Sequence, residues 1–244
     1  MLDVEDHDGV SVVRLRHGKV NALDLELVRA VTAAVRDMDP GRALVITGAG
    51  SAFSAGVDLR RLADGGPEYA REFVPALSGM FLAIFEHPGP ALAAVNGHAI
   101  AGGCVMAAAC DVRVMAAGTI GLTEVSAGVP FPPVALEIMR HATGPALGEL
   151  VLTAAPLDAA AARSAGLIHA VEAPEELLDS VIARARAMLR LPAAVFAFSK
   201  RQLQRPARER IAAAGADADA VQAMWESLPA RQAVAAYLDA LGRR

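Results

Sequence analysis

Between Pro88 and Cys110 the chain carries no Asp, Glu, Lys or Arg, and its ionisable groups are His98, Cys104 and Cys110. A run of this length could span a bilayer. Pro88, Pro90, Asn96, Gly97, Gly102 and Gly103 interrupt it, however, and alanine supplies much of its apolar content. Backbone groups freed at such breaks need partners that lipid does not offer, so the stretch reads as a buried strand, turn and helix. No membrane association is expected. Ala91–Val95 is then a strand covered on both faces, Asn96–Gly103 a glycine-rich turn, and the helix runs from about Cys104 to Ala109.

The same pattern occurs on either side. Val10, Val12 and Leu15 stand among polar residues, which predicts edge strands of a β-meander. Asp24 is placed to cap a helix carrying Leu27, Val28, Val31, Val35 and Met38 at helical spacing, and Asp39-Pro40-Gly41 ends it. Ala43–Thr47 and Asp111–Met115 read as further buried strands, with Thr119–Leu122 a short one. Strands alternating with helices predict an α/β architecture with its site at the strand C-terminal ends. From about Pro145 the chain turns mostly helical, with amphipathic segments at Leu177–Leu191, Phe196–Leu203, Asp217–Leu228 and Arg231–Leu241.

Composition narrows the function classes. With 54% hydrophobic and 20% charged residues among 244, the chain is no disordered tail. A net charge of −4 without a Lys/Arg cluster gives no surface for nucleic acid. The two cysteines cannot build a disulfide framework or a four-ligand zinc site. The acidic Met-Leu-Asp-Val-Glu-Asp start lacks an apolar core, so no signal peptide is expected and the protein reads as soluble and cytoplasmic.

Two motifs suggest chemistry and fail on one residue each. Gly48-Ala49-Gly50 follows a strand as a dinucleotide fingerprint does, but the third glycine falls on Phe53. Ala52-Phe53-Ser54-Ala55-Gly56 approaches a serine-hydrolase elbow, with His141 and His169 downstream, yet Ala52 replaces the first glycine. Ser54 is then a loop hydroxyl bonding nearby backbone.

Gly48–Leu59 instead resembles the first oxyanion loop of the crotonase superfamily, which includes enoyl-CoA hydratases and isomerases, and Ala94–Arg113 resembles the second. Ile120-Gly-Leu-Thr-Glu124, Gly128-Val-Pro130, Leu150–Thr153 and Ala161–Ile168 fit the same family in order and spacing. The resemblance implies a crotonase-like spiral of ββα units over residues 1–190, holding the acyl-CoA site, then a helical trimerisation region over 191–244. It implies a coenzyme A thioester as substrate, no metal or redox cofactor, and a homotrimer or a dimer of trimers.

By resemblance, the N–H groups of Val57 and Gly102 form the oxyanion hole and Glu124 is the catalytic carboxylate. Two converging N–H donors suit the enolate that acyl-CoA chemistry at the α-carbon generates. Leu122, Val125 and Val129 should desolvate Glu124 and raise its pKa towards neutrality. Val20, Ala22, Ala55, Gly56, Asp58, Leu59, Gly103 and Val105 are the expected substrate and CoA contacts. Asp58 is also placed to cap the following helix, and Arg60 and Arg61 either meet CoA phosphates or form a solvated face. Tyr237 matches an aromatic that reaches a neighbouring subunit in the family, although Ala240 stands where a basic residue belongs.

The hydratases of this family carry another glutamate at the position of Val105. Hydration needs a water held between two carboxylates, whereas a 1,3 proton shift needs one. The pattern therefore most resembles the one-glutamate Δ3-Δ2-enoyl-CoA isomerases. Hydration or thioester hydrolysis through another acid is the alternative among enzymes, and a non-catalytic acyl-CoA-binding trimer the alternative outside them. Val234, Leu238 and Leu241, with Phe196, Leu203, Val221 and Trp225, are the apolar surface expected to meet other subunits.

Overall fold

The computed structural model describes residues 1–242, and side chains through residue 240. The chain opens with β1 (Leu2–His7), β2 (Val10–Leu15), α1 (Leu25–Arg36) and β3 (Ala43–Gly48). Three ββα turns follow, the first of them starting with β3. The first continues through β4 (Ala52–Ser54) into α2 (Leu59–Phe85); the second is β5 (Ala91–Val95), β6 (His98–Ile100) and α3 (Gly102–Ala108). The third is β7 (Val112–Met115), β8 (Ile120–Gly121) and α4 (Glu124–Ala127). Then follow α5 (Pro133–Thr143), α6 (Leu147–Thr153), α7 (Ala159–Ser164), β9 (Ala170–Val171), α8 (Leu177–Leu189), α9 (Ala193–Ala213), α10 (Gly215–Glu226) and α11 (Leu228–Gly242).

The first strands of the turns lie side by side in a six-stranded sheet ordered β1-β2-β3-β5-β7-β9, and the second strands form a three-stranded sheet, β4-β6-β8. All pairings are parallel except β1 with β2. Alternation along the large sheet divides two cores. Val13, Leu15, Leu44, Ile46, Ala93 and Val95 face the small sheet, α1 and α2. Val10, Val12, Val45, Leu92 and Val114 face α8 through Leu177, Val181 and Ala185. Burial on both faces is why these strands read as continuous apolar runs.

The sheet corrects one expectation. Val10, Val12 and Leu15 belong to an inner strand parallel to β3, not to the edge of a meander; β1, not β2, is the edge on this side of the sheet. The polar residues that suggested exposure are partnered there: the Ser11 hydroxyl accepts from Arg42 Nε at 2.7 Å. Helix α3 begins two residues earlier than expected, at Gly102. Asp24 caps α1 as expected, accepting from the Leu27 N–H at 2.8 Å.

Side chains tie successive turns together. The Asn96 carboxamide accepts from Gly48 N–H at 2.9 Å and donates to Gly50 O at 3.0 Å, locking the second turn onto the first. His98 Nδ1 accepts from the Thr119 N–H at 3.2 Å and fixes the third turn on the second. His98, the first residue of β6, thus has a structural role.

The helical tail docks on its own body. Trp225 and Val234 are buried in the larger core, with Val221, Tyr237 and Leu238 packed against it. These residues, expected on an intersubunit surface, are spent within the chain; the Leu241 side chain lies outside those described. Leu191, Val195, Phe198 and Leu203 of the α9 region stay exposed, and Phe196 is half-buried. Among the described residues no helix is long and apolar enough to cross a membrane.

Lys200 anchors α9. Its buried ammonium donates to Asp111 Oδ2 at 2.8 Å and to Gly89 O at 3.2 Å, joining the tail to the turn before β7. Removing one partner of a buried pair leaves the other charge uncompensated. Lys200→Ala should cost about 3 kcal/mol in urea unfolding, and a loss below a few tenths would show that the tail is held by apolar packing alone.

Candidate active site

The three ββα turns leave their short strands at the same edge, and the residues that follow line one cavity of about 500 Å³. After β4 come Ala55 and Val57, after β6 Ala101 and Gly102, and after β8 Thr123 and Glu124. Helix α2 adds Leu77 and Phe81.

The first loop is held against residues 20–23 by backbone bonds. Ala55 N–H donates to Val20 O, Leu23 N–H to Gly56 O, and Asp58 N–H to Leu23 O, at 2.7–3.0 Å. Buried Asn21 completes the clamp: its amide N–H groups point at the carbonyls of Ala49, Ala52 and Phe53, at 3.0–3.3 Å. The Ser54 hydroxyl donates to Asn21 O at 2.8 Å, which makes it the backbone-bonding loop hydroxyl expected from sequence. Asn21 itself was not singled out, because the carbonyls it serves lie far along the chain.

This network passes over two donors. Among the described residues, neither the Val57 nor the Gly102 N–H has a hydrogen-bond acceptor in the protein. The two sites adjoin: a Cβ built on Gly102 would lie 3.8 Å from Val57 Cγ2. Ala101, immediately before Gly102, sits at φ 50° and ψ −120°, a conformation that a side chain makes costly by about 1–3 kcal/mol. The strain is confined to the residue that turns β6 into α3.

Glu124 opens α4 with only 8% of its surface exposed. Its Oε2 is buried and unpartnered among the described residues. Loss of water pushes its pKa up to about 7, against a weaker downward pull from the backbone N–H groups of Glu124 and Thr123. Leu122 and Val129 are buried beside it as expected, but Val125 is half exposed and does not shield it. Val105, one helical turn beyond Gly102, is 1% exposed and also lines the cavity.

Most of the expected contacts meet there: Val20, Ala22, Ala55, Asp58, Leu59 and Val105 all line the cavity. Gly56 and Gly103 do not. Both glycines serve close backbone approach instead, since a Cβ on Gly56 (φ +83°) would meet Ile100 O at 2.6 Å and one on Gly103 would meet Ser54 O at 2.3 Å. Asp58 also caps α2, accepting from the Arg60 and Arg61 N–H groups at 3.1 Å. Arg61 pairs with Glu26 at 2.7 Å, whereas Arg60 lines the cavity. Cys104 and Cys110 are buried core residues.

The cavity also draws on the tail. Trp225, Tyr237 and Leu238 close its apolar end, so residues beyond 190 contribute to the site. Trp225 is 2% exposed, donates from Nε1 to Pro130 O at 2.9 Å and lies 6.3 Å from the Phe73 ring. Tyr237, near the position of an aromatic that reaches a neighbouring subunit in the family, lines the cavity of its own chain. Among the described residues no three His, Cys, Asp or Glu side chains gather as a metal site would require.

Residues 5–241 match the sequence profile of the family described as enoyl-CoA hydratase/isomerase. A crotonyl-CoA hydratase of Syntrophomonas wolfei is 34% identical over 186 residues, 73% of this chain and 71% of that protein. A solved protein of Mycobacterium tuberculosis, described both as an enoyl-CoA isomerase and as a probable enoyl-CoA hydratase, is 30% identical, with a TM-score of 0.82 over 91% of this chain and 97% of that one. The human mitochondrial Δ3-Δ2-enoyl-CoA isomerase, at 22% identity, shares the fold over 99% of this chain and 98% of its own, with a TM-score of 0.91. With the spiral of ββα turns and the cavity at its edge, these likenesses place the chain in the enoyl-CoA hydratase/isomerase family of the crotonase superfamily, as an acyl-CoA-processing enzyme.

Proposed function

We propose that the protein is a Δ3-Δ2-enoyl-CoA isomerase that uses Glu124 as its single acid and base. The observation that supports this reading most is the pairing of one desolvated, unpartnered carboxylate with Val105 in the same cavity. Glu124 removes a proton from C2 of a 3-enoyl thioester. The electron pair moves onto the thioester oxygen, where the N–H groups of Val57 and Gly102 receive the developing charge. The protonated carboxyl then returns its proton to C4, and the double bond comes to lie between C2 and C3. A pKa near 7 suits both halves of this transfer. Asp58, the other cavity carboxylate, is occupied as a helix cap. A held water needs two or more polar partners, and the valine wall supplies none.

The names of relatives favour a second reading, hydration, since the Syntrophomonas wolfei protein is a crotonyl-CoA hydratase. The two separate in a direct comparison of purified protein on 3-enoyl- and 2-enoyl-CoA thioesters. Isomerisation should be the faster reaction, and hydration faster by a wide margin would overturn the assignment.

Glu124→Gln keeps the shape of the side chain and removes the base. It should lower kcat by about 10²–10⁴-fold with little change in CoA affinity. In the unmodified enzyme the raised pKa leaves the carboxyl protonated below about 7, so kcat/KM should fall as pH drops through that value and level off above it. Near-normal turnover in the variant would place the base elsewhere.

Val105→Glu would set a second carboxylate near the first, and two like charges would push one pKa up and supply an acid beside a base. A folded variant should gain measurable hydration of a short 2-enoyl-CoA, with reduced stability from burying the carboxylate. A variant with native circular dichroism that isomerises but gains no hydration would remove the argument from residue 105.

The chain is further proposed to assemble as a homotrimer or a dimer of trimers. The exposed Leu191, Val195, Phe198 and Leu203 support association, since monomers rarely leave such a patch in water. Light scattering at micromolar concentration should give three or six times the chain mass; the single-chain mass would contradict it.

A further inference from the structure

His141, His169 and Cys110 take no part in the large cavity, yet they meet elsewhere. They line a separate pocket of about 170 Å³ with Arg113, Asp111 and Phe85. It lies beyond the C-terminal end of α3, whereas Gly102 at the other end faces the acyl-CoA cavity. No residue lines both.

Arg113 is only 4% exposed and has no carboxylate partner among the described residues. Its Nε donates to Leu167 O and its Nη1 to Cys110 O, each at 2.7 Å. Those carbonyls bring partial charge only. The neighbouring Asp111 directs Oδ2 to Lys200 Nζ and to the Ala91 N–H, both at 2.8 Å. The guanidinium is therefore a buried cation whose nearest acid is already shared, and a buried charge without a partner is costly.

The histidine tautomer sharpens this. The backbone N–H of Arg113 donates to His169 Nδ1 at 3.0 Å, so Nδ1 carries no proton and the ring proton is on Nε2. That Nε2 lies 3.4 Å from Arg113 Nη2, and guanidinium nitrogens only donate. Two N–H groups thus face one another, and neither has an acceptor among the described residues. An acceptor beside the pair on the pocket side, carrying negative charge and bridging both nitrogens, would satisfy both donors and balance the cation.

We propose that this pocket binds a small oxyanion, of the carboxylate or phosphate class, between Arg113 Nη2 and His169 Nε2. The volume admits a group of a few heavy atoms and excludes a nucleotide. His141 forms part of the wall, its pKa lowered by partial burial and by Arg113, and burial with the nearby Arg113 pushes the His169 pKa down to about 4, which keeps that ring neutral. Asp111 on another wall disfavours a dianion and can accept from the O–H of a monoprotonated one. Farther out, Arg184 is paired with Glu172 and Arg210 with Glu137, so Arg113 supplies the uncompensated charge.

The test is a titration of the full chain with inorganic phosphate at pH 6.5, at constant ionic strength against sodium chloride, with acetate as the carboxylate arm. The readout is the ¹⁵N resonances of the His169 ring. They should show a lone Nδ1 acceptor throughout and a saturable Nε2 shift, half complete at about 1–10 mM, the weak range expected of two charge-assisted contacts. Saturation by both anions identifies the shared oxyanion chemistry, and saturation by one identifies the class. The phosphate-induced rise in Tm that mass action requires should persist in Arg60→Ala, which alters the acyl-CoA cavity, and vanish in His169→Phe. A His169 signal that moves linearly, or equally with chloride, would overturn the proposal, as would a Tm response lost in Arg60→Ala; these readings need no fragile variant.

Discussion

Parallel pairing of β3, β5 and β7 obliges the chain to leave every strand at the same edge and to return by a crossover. Each crossover here contains a second, shorter strand, and β4, β6 and β8 pair in turn. Stacking these hairpin-like returns brings three chain reversals, at Val57, Gly102 and Glu124, to one cavity although they are distant in sequence. Asn96 and His98 set the spacing, since each bonds the turn of its neighbour. A displaced turn would separate the two free N–H groups and unpair buried backbone, so one set of bonds serves both stability and site geometry.

The cavity follows from what is withheld from it. Hydrogen bonds satisfy the backbone around Val57 and Gly102 but not those two N–H groups, and the Glu124 Oε2 is left alone in an apolar wall. Each omission costs stability, because a buried polar atom without a partner has lost its water for nothing. Ala101 adds backbone strain beside them. Such costs are concentrated at one cavity, while the surrounding sheet and helices are packed on both faces.

How much of this the sequence discloses depends on the distance over which each residue acts. The β5 strand and its glycine turn were legible because a strand buried on both faces must be apolar throughout. Asp24 and Asp58 were legible as caps because their partners lie within three residues. Glycine was ambiguous. Gly102 lies at the cavity, whereas Gly56 and Gly103 make room for other backbone, and spacing alone does not distinguish a ligand from a neighbouring carbonyl. Asn21, Lys200 and Arg113 were missed because their partners lie on distant segments, and a buried Lys or Arg contradicts the ordinary preference for water. The two-residue β9 is too short to show a period.

The tail connects these observations. Its helices were expected to present apolar faces outward, but Trp225 and Val234 turn inward and Trp225 is fixed by a bond to Pro130 O. Pro130 lies six residues past Glu124, on the segment that leaves α4. Trp225, Tyr237 and Leu238 add apolar wall to the cavity that Glu124 also lines. The cavity in which Glu124 lies is therefore not built by the ββα core alone. Lys200 holds α9 to Asp111, α10 follows α9 directly, and α10 carries Trp225. Docking of the tail and completion of the cavity around Glu124 are in this way joined across the chain, the helices that Lys200 anchors supplying part of its apolar wall.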